Sequence, residues 1–280
     1  MKGIKKHTTL IQSAVLLLLI GAMALPAHAN RRRFSYIYES AVLPKDAREI
    51  ELWNTLRLNK KNFYRRLDQR VEYEWGLGAN FQTAFYFNHT AKAEQTTDGI
   101  ETENEMNFSN EWKFKLFDAY ADPLGLGLYA EWTAAPTELE LEGKLLLDKS
   151  LSEDLFLAFN TVYEMEFESE FEDGEVETEQ ETKLEFDLGL SYDLGAGFGI
   201  GLEARHHSVM FEVDDENGGE RDATFSALFV GPTLSYTGAN WWLTATFLPQ
   251  VTGTADESTD KLDVIEHEKA EARLLFSFEL

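Results

Sequence analysis

The chain has 280 residues, with 25 basic against 50 acidic side chains, a net charge of −25, 44% hydrophobic and 13% aromatic residues, no cysteine and a mean hydropathy of −0.33. So much aliphatic and aromatic surface excludes disorder, the polar mean excludes a bundle of membrane helices, and the acidic excess excludes a nucleic-acid binder, whose contact face needs Lys and Arg. The lack of cysteine removes disulfides, Cys-ligated zinc and thiol catalysis.

Residues 1–29 read as a cleaved secretory signal. Lys2, Lys5 and Lys6 precede an apolar run from Ala14 to Leu25, and Ala27-His28-Ala29 places small residues where signal peptidase reads them. An uncleaved anchor is the alternative, and the shortness of the run counts against it. Removal of this segment leaves 22 basic against 50 acidic residues, a net charge of −28. Residues 30–46 form an N-terminal segment that lies in the periplasm or folds into a lumen, and residues 47–280 form one domain.

From Ile50 onward strict two-residue alternation recurs, the mark of strands with one apolar face. The alternation predicts twelve strands near 48–58, 67–77, 80–91, 104–117, 124–134, 137–148, 154–170, 176–193, 197–213, 222–236, 240–252 and 265–280. The clearest places Val176, Thr178, Thr182, Leu184, Phe186, Leu188, Leu190 and Tyr192 on one face, with Glu177, Glu179, Glu181, Lys183, Glu185 and Asp187 on the other. Its partner precedes it across a turn in which Asp173-Gly174 supplies positive φ. Such strands outrun the five or six residues usual in soluble sheets. Short turns such as Leu194-Gly195-Ala196-Gly197 alternate with longer polar loops such as Lys92–Glu103 and Gly253–Val264. The fold class is therefore all-β: a transmembrane antiparallel up-and-down β-barrel of about 12 strands in the outer membrane, with short turns periplasmic. A soluble sandwich or ligand-carrying barrel is the alternative. Trp53, Trp75, Trp112, Trp132, Trp241 and Trp242 lie mostly near predicted strand ends, as interfacial girdles require.

On the last strand Ala270, Ala272, Leu274, Phe276, Phe278 and Leu280 share one face. This strand resembles the C-terminal assembly signal of outer-membrane barrels, with Leu280 where Phe is commonest, and it implies the barrel-assembly machinery as a partner beside outer-membrane lipid and lipopolysaccharide. Near the start, Phe34-Ser35-Tyr36-Ile37-Tyr38-Glu39, Leu43-Pro44-Lys45 and Glu49-Ile50-Glu51-Leu52-Trp53 resemble the opening of an uncharacterised family of porin-like bacterial outer-membrane barrels. The resemblance covers about sixty residues of the mature chain and implies a barrel and an envelope location, without an activity.

Charges cannot face hydrocarbon, where they cost about 2–4 kcal/mol at the midplane of a barrel's outer face, so the charged parity lines the lumen. The lumen-lining candidates are Arg57, Arg70, Glu72, Glu74, Glu111, Lys113, Lys115, Glu131, Glu140, Glu142, Glu185, Asp187, Glu203, Arg205, Lys269, Glu271 and Arg273. They form either an interlocked ion-pair network or a water-filled path, and in a path the acidic excess favours small cationic or neutral solutes. The acidic hairpin offers Glu166, Glu168, Glu177 and Glu179 for weak divalent-cation contact, without the ordered spacing of an EF-hand. No cofactor is implied. His206 and Ser208 share the lipid-side face near the outer end, and this His-x-Ser pair resembles outer-membrane phospholipases and lipid A deacylases, in which His activates Ser. Glu220 stands where those enzymes place a third residue. Val209 stands where they carry Asn, and His89 and His267 belong to no such pair. An outer-leaflet lipid esterase is therefore the alternative to a passive channel or a structural barrel.

Overall fold

The computed structural model describes residues 32–97, 99–172, 175–214, 219–222, 225–255 and 260–280, with side chains apart from 170–177, 211–214 and 219–222. The signal segment lies outside the described residues. The strands are β1 (Arg48–Leu58), β2 (Tyr64–Gly78), β3 (Phe81–Gln95), β4 (Ile100–Phe117), β5 (Gly125–Ala134), β6 (Glu138–Ser150), β7 (Leu155–Glu172), β8 (Glu175–Gly195), β9 (Phe198–Asp214), β10 (Gly219–Asp222), β11 (Ser226–Thr237), β12 (Trp241–Thr254) and β13 (Ala270–Glu279). Each barrel strand pairs antiparallel with its neighbours, and β13 closes onto β1 from Glu49↔Glu279 to Leu58↔Ala270. Twelve strands make the barrel. The thirteenth, β10, returns along the outer part of β9, in a stretch that the sequence predicts as loop up to Arg221.

The pleat sorts the side chains in the order opposite to that of a soluble protein. Phe87, Leu202 and Leu234 are 70, 57 and 58% exposed, whereas Glu111, Asn160, Glu271 and Ser277 are 0% exposed. An outer belt of Leu, Phe and Val around a polar interior is stable against lipid and unstable against water, which excludes the soluble sandwich. Trp53 and Trp242 depart from the girdle expectation. They share parity with buried Glu49 and with Ser277's side of the sheet, point inward, and are 6 and 1% exposed.

At one end the connections are tight. Gly195, Ala196 and Gly197 have φ of 82, 52 and 83°, and a Cβ on Gly197 would sit 2.3 Å from the Thr237 carbonyl oxygen, so glycine is required there. The alternation of loop lengths is looser than predicted. Residues 135–137 join β5 to β6 tightly at the loop end, which is built instead by extension of β7 and β8 to 18 and 21 residues.

The N-terminal segment lies in the lumen, in the half nearer the tight turns. Phe34 and Ile37 pack with Ala119, Phe156 and Ala158, Tyr36 with Ala227, Phe229 and Leu248, and Tyr38 with Trp53, Tyr129, Leu146, Trp242 and Leu275. Gly189 of β8 makes room for it, because a Cβ there would come within 2.5 Å of Ile37 Cδ1 and 2.6 Å of Phe34 Cε1. An irregular segment inside a barrel must find partners for its backbone groups. The wall supplies them. Glu203 accepts from the Ser35 and Tyr36 amides at 2.9 Å each, and Asp148 from the Ser40 amide at 2.6 Å. Gln82 accepts from Leu43 N–H at 2.8 Å, while Asn160 both accepts from Tyr38 N–H at 2.7 Å and donates to its carbonyl at 2.9 Å.

Candidate functional site

Beyond this segment, toward the loop end, the lumen holds a cavity of about 560 Å³. Tyr36, Tyr38, Trp53 and Arg273 form its floor, and Lys60, Glu105, Glu138, Glu168 and Glu266 line its outer part. The floor is held by cation–π and hydrogen-bond contacts. The Arg273 guanidinium lies 3.7 Å from the Tyr36 ring centre and donates to the Ser35 carbonyl at 3.2 Å and to Thr55 Oγ at 2.8 Å. Arg70 lies 4.1 Å from the Tyr86 ring and 5.0 Å from that of Trp53, and donates to Asn88 at 2.8 Å.

The walls differ in sign. One, from β6, β7 and β8, carries Glu138, Glu140, Glu142, Glu164, Glu166 and Glu168 in register-matched pairs, Glu138↔Glu168, Glu140↔Glu166 and Glu142↔Glu164. Two lysines hold these like charges together. Lys183 bonds Glu164 and Glu181 at 2.9 Å each and also Glu166, and Lys144 bonds Glu142 at 2.9 Å. The arginines lie on β1, β2 and β13 across the lumen and on β9 beside the acidic wall: Arg57, Arg66, Arg70, Arg273 and Arg205. Arg57 meets Asp68 and Glu271 at 2.9 Å and Glu268 at 3.1 Å, and Arg205 meets Glu271 at 2.8 Å and Glu185 at 2.5 Å. Thirteen carboxylates and eight Lys or Arg side chains line the cavity, so the water within it is in an acidic field that runs across the barrel.

The lumen candidates from the sequence divide between two levels. Arg57, Arg70, Glu131, Glu140, Glu142, Glu185, Arg205 and Arg273 line the cavity. Glu72, Glu74, Glu111, Lys113, Asp187, Glu203 and Glu271 are buried beside or beneath it. Lys115 lies at the turn end, 3.0 Å from Asp118. Lys269 departs from the expectation. It precedes β13 and is exposed, and its amide bonds the Leu58 and Asn59 carbonyls, because the strand begins at Ala270 and the inward parity has not yet started. Of the cation-contact candidates, Glu166 and Glu168 line the cavity, exposed Glu179 stands opposite Glu168, and the Glu177 side chain lies outside the described residues.

Ser208 Oγ donates to the Leu184 carbonyl at 2.9 Å, and among the described residues it makes no hydrogen bond with His206. The Glu220 side chain lies outside the described residues. The histidine constellation lies elsewhere. His267 Nδ1 donates to Asp263 at 2.6 Å, and its Nε2 stands 2.8 Å from His207 Nδ1. Burial pushes the Asp263 carboxyl up, but His267 and the Glu266 and Ile265 amides outweigh it and hold it below the usual carboxylate range. This chain fastens the loop before β13 to β9. His207 has inward parity in the sequence, but its partner sits 60 residues away in a loop without periodicity.

Residues 26–280 match the model of a family described as "Family of unknown function (DUF6662)". The chain belongs to that family. In fold, the chain is similar to the β-domain of the Bordetella autotransporter BrkA, with a TM-score of 0.51 and 11% identity, over 84% of this chain and 100% of that one. The NanC porin follows at a TM-score of 0.49 and 11% identity, over 82% of this chain and 100% of its own. The translocator domain of NalP from Neisseria meningitidis has a TM-score of 0.49 and 13% identity, over 85 and 90%. The BrkA likeness is one of fold, that of an outer-membrane barrel. No curated protein matches the chain significantly.

Proposed function

We propose that this outer-membrane barrel is a narrow passive channel for small cationic or neutral solutes, held closed at its periplasmic half by its own N-terminal segment. The observation that carries this reading is the acid-rich cavity of about 560 Å³ that ends on the Tyr36, Tyr38, Trp53 and Arg273 floor. Its carboxylate excess raises the local concentration of cations and repels anions, and passage requires the floor to move. The reading includes export by a signal cleaved after Ala29. It also includes lipid and lipopolysaccharide around the apolar belt, and engagement of the assembly machinery through the last strand. A structural envelope barrel is the second reading, favoured by the number of wall side chains bonded to the segment. No observation among the described residues favours the esterase.

Reversal potentials across a potassium chloride gradient test the proposal. Current through the barrel is expected to prefer potassium, and Glu140→Gln with Glu142→Gln and Glu164→Gln is expected to reduce that preference. Preference for chloride, or no current even after release of the segment, rejects the channel.

A further inference from the structure

On the far side of the N-terminal segment from the cavity, five glutamates converge. The register sets Glu49 opposite Glu74 and Glu51 opposite Glu72 on β1 and β2, and it aligns Glu74 with Glu111 of β4 across the single methyl group of Ala84. Like charges opposed across a sheet repel, and here none of the five is more than 3% exposed. One carboxylate oxygen from each of Glu49, Glu51 and Glu74 lies within 4.8 Å of the other two.

Part of this group is satisfied. Ser277 Oγ and Trp242 Nε1 donate to Glu49 at 3.1 and 3.4 Å, Trp53 Nε1 donates to Glu51 at 2.8 Å, and Arg32 stands 3.7 Å from Glu51. The rest is not. Both oxygens of Glu72, both of Glu111 and Oε2 of Glu74 are buried without a hydrogen-bond partner. Arg32, Arg70 and Lys113 are the cations within electrostatic reach, and Arg70 is shared with Glu131 at 3.5 Å. The five carboxylates outnumber these three cations in a site closed to water, and full ionisation there persists only with a counter-ion or a bound proton. The acidic wall of the cavity differs, because Lys144 and Lys183 bond directly to its glutamates.

A site this closed to water requires its ion to shed its hydration shell, which magnesium does reluctantly and calcium accepts in exchange for carboxylate oxygens. We propose that Glu49, Glu51 and Glu74, flanked by Glu72 and Glu111, form a calcium site that ties β1 to β2 beneath the N-terminal segment. A divalent cation held by hard carboxylate oxygens fits both the excess of carboxylates over cations and the orphaned Oε2 of Glu74. Its occupant fixes β1, the strand onto which β13 closes, against β2, and with them the Arg32 end of the segment lying over them.

Terbium supplies the test, because Trp53 and Trp242 already contact the site and can sensitise its emission. The folded full-length protein in detergent, stripped with chelator, is expected to give tryptophan-sensitised terbium emission that calcium displaces well ahead of magnesium. Calcium is also expected to raise the temperature at which the folded gel band is lost. Glu74→Gln and Glu49→Gln, near-isosteric and uncharged, should each weaken binding by roughly 10–100-fold. Each should also make the metal-free barrel more heat-resistant than the metal-free wild type. The Glu140→Gln, Glu164→Gln pair should leave the emission intact. The wild-type titration stands without any variant: absence of emission, or a heat transition indifferent to calcium, overturns the site. So does emission that survives both glutamine variants, or emission lost with the Glu140, Glu164 pair, which places the ion in the cavity.

Discussion

Replacing Glu203 by Ala is expected to release the Arg32–Tyr36 end of the N-terminal segment from the barrel wall. Its carboxylate, 1% exposed, accepts the amides of Ser35 and Tyr36 at 2.9 Å each and the Thr246 hydroxyl at 2.6 Å. Truncation leaves two buried amides without acceptors, at about 1–3 kcal/mol each, so the docked state loses on the order of 2–6 kcal/mol. Neither amide has a strand to fall back on, because the segment is irregular there. The bonds at Asp148, Asn160 and Gln82 remain and hold the middle of the segment. The expected result is local release at the Arg32–Tyr36 end, read as faster tryptic cleavage at Arg32 and Arg33 in a barrel that keeps its heat-modifiable gel mobility. Cleavage unchanged from the wild type would show that the other anchors suffice.

Replacing Glu271 by Ala is expected to weaken the barrel itself. Its Oε1 receives Arg57 at 2.9 Å and Arg205 at 2.8 Å, and the side chain is 0% exposed. Removing one partner of a buried ion pair leaves an uncompensated charge and typically costs about 3–5 kcal/mol. Here the lower end applies, because Arg57 keeps Asp68 and Glu268 and Arg205 keeps Glu185. The contact also ties β13 to β1 beside it and to β9 three strands away, so the loss falls on barrel closure. A clear fall in the temperature of gel-band conversion is expected. Glu103→Ala is the control: its bond to Lys92 is as short, at 2.9 Å, but the side chain is 52% exposed, and a change of no more than about 1 kcal/mol follows. Equal effects of the two substitutions would contradict the account of the lumen as a desolvated network.

Alternation made all twelve barrel strands legible, because in a barrel every strand carries the same two-faced pattern and no helix competes with it. What it misplaced has physical causes. Strand β2 begins at Tyr64 rather than near 67, since Tyr64-Arg65-Arg66 sets charged residues side by side and interrupts the period. Strand β10 has four residues, too few to show a period at all. Trp53 and Trp242 were assigned to the interface by residue type, although parity with Glu49 and Glu51 places Trp53 inward. The position of the N-terminal segment was not legible. Phe34 to Tyr38 has no periodicity to read, and its anchors Asp148, Asn160 and Glu203 lie 108 to 168 residues away along the chain. The cavity was legible as charge of the right parity. Its partition into an acidic wall and an arginine-rich one depends on which strands face one another across the lumen, a property of closure.

In the proposed channel, residues 32–43 close a lumen that otherwise passes ions. Single-barrel conductance of the full-length protein and of a form lacking residues 32–43, each shown to be folded by gel mobility, tests it most directly. A near-silent full-length barrel and a steady, cation-preferring current in the shortened one are expected. An open full-length barrel with the same conductance as the shortened form would contradict it, and so would a shortened barrel that remains sealed.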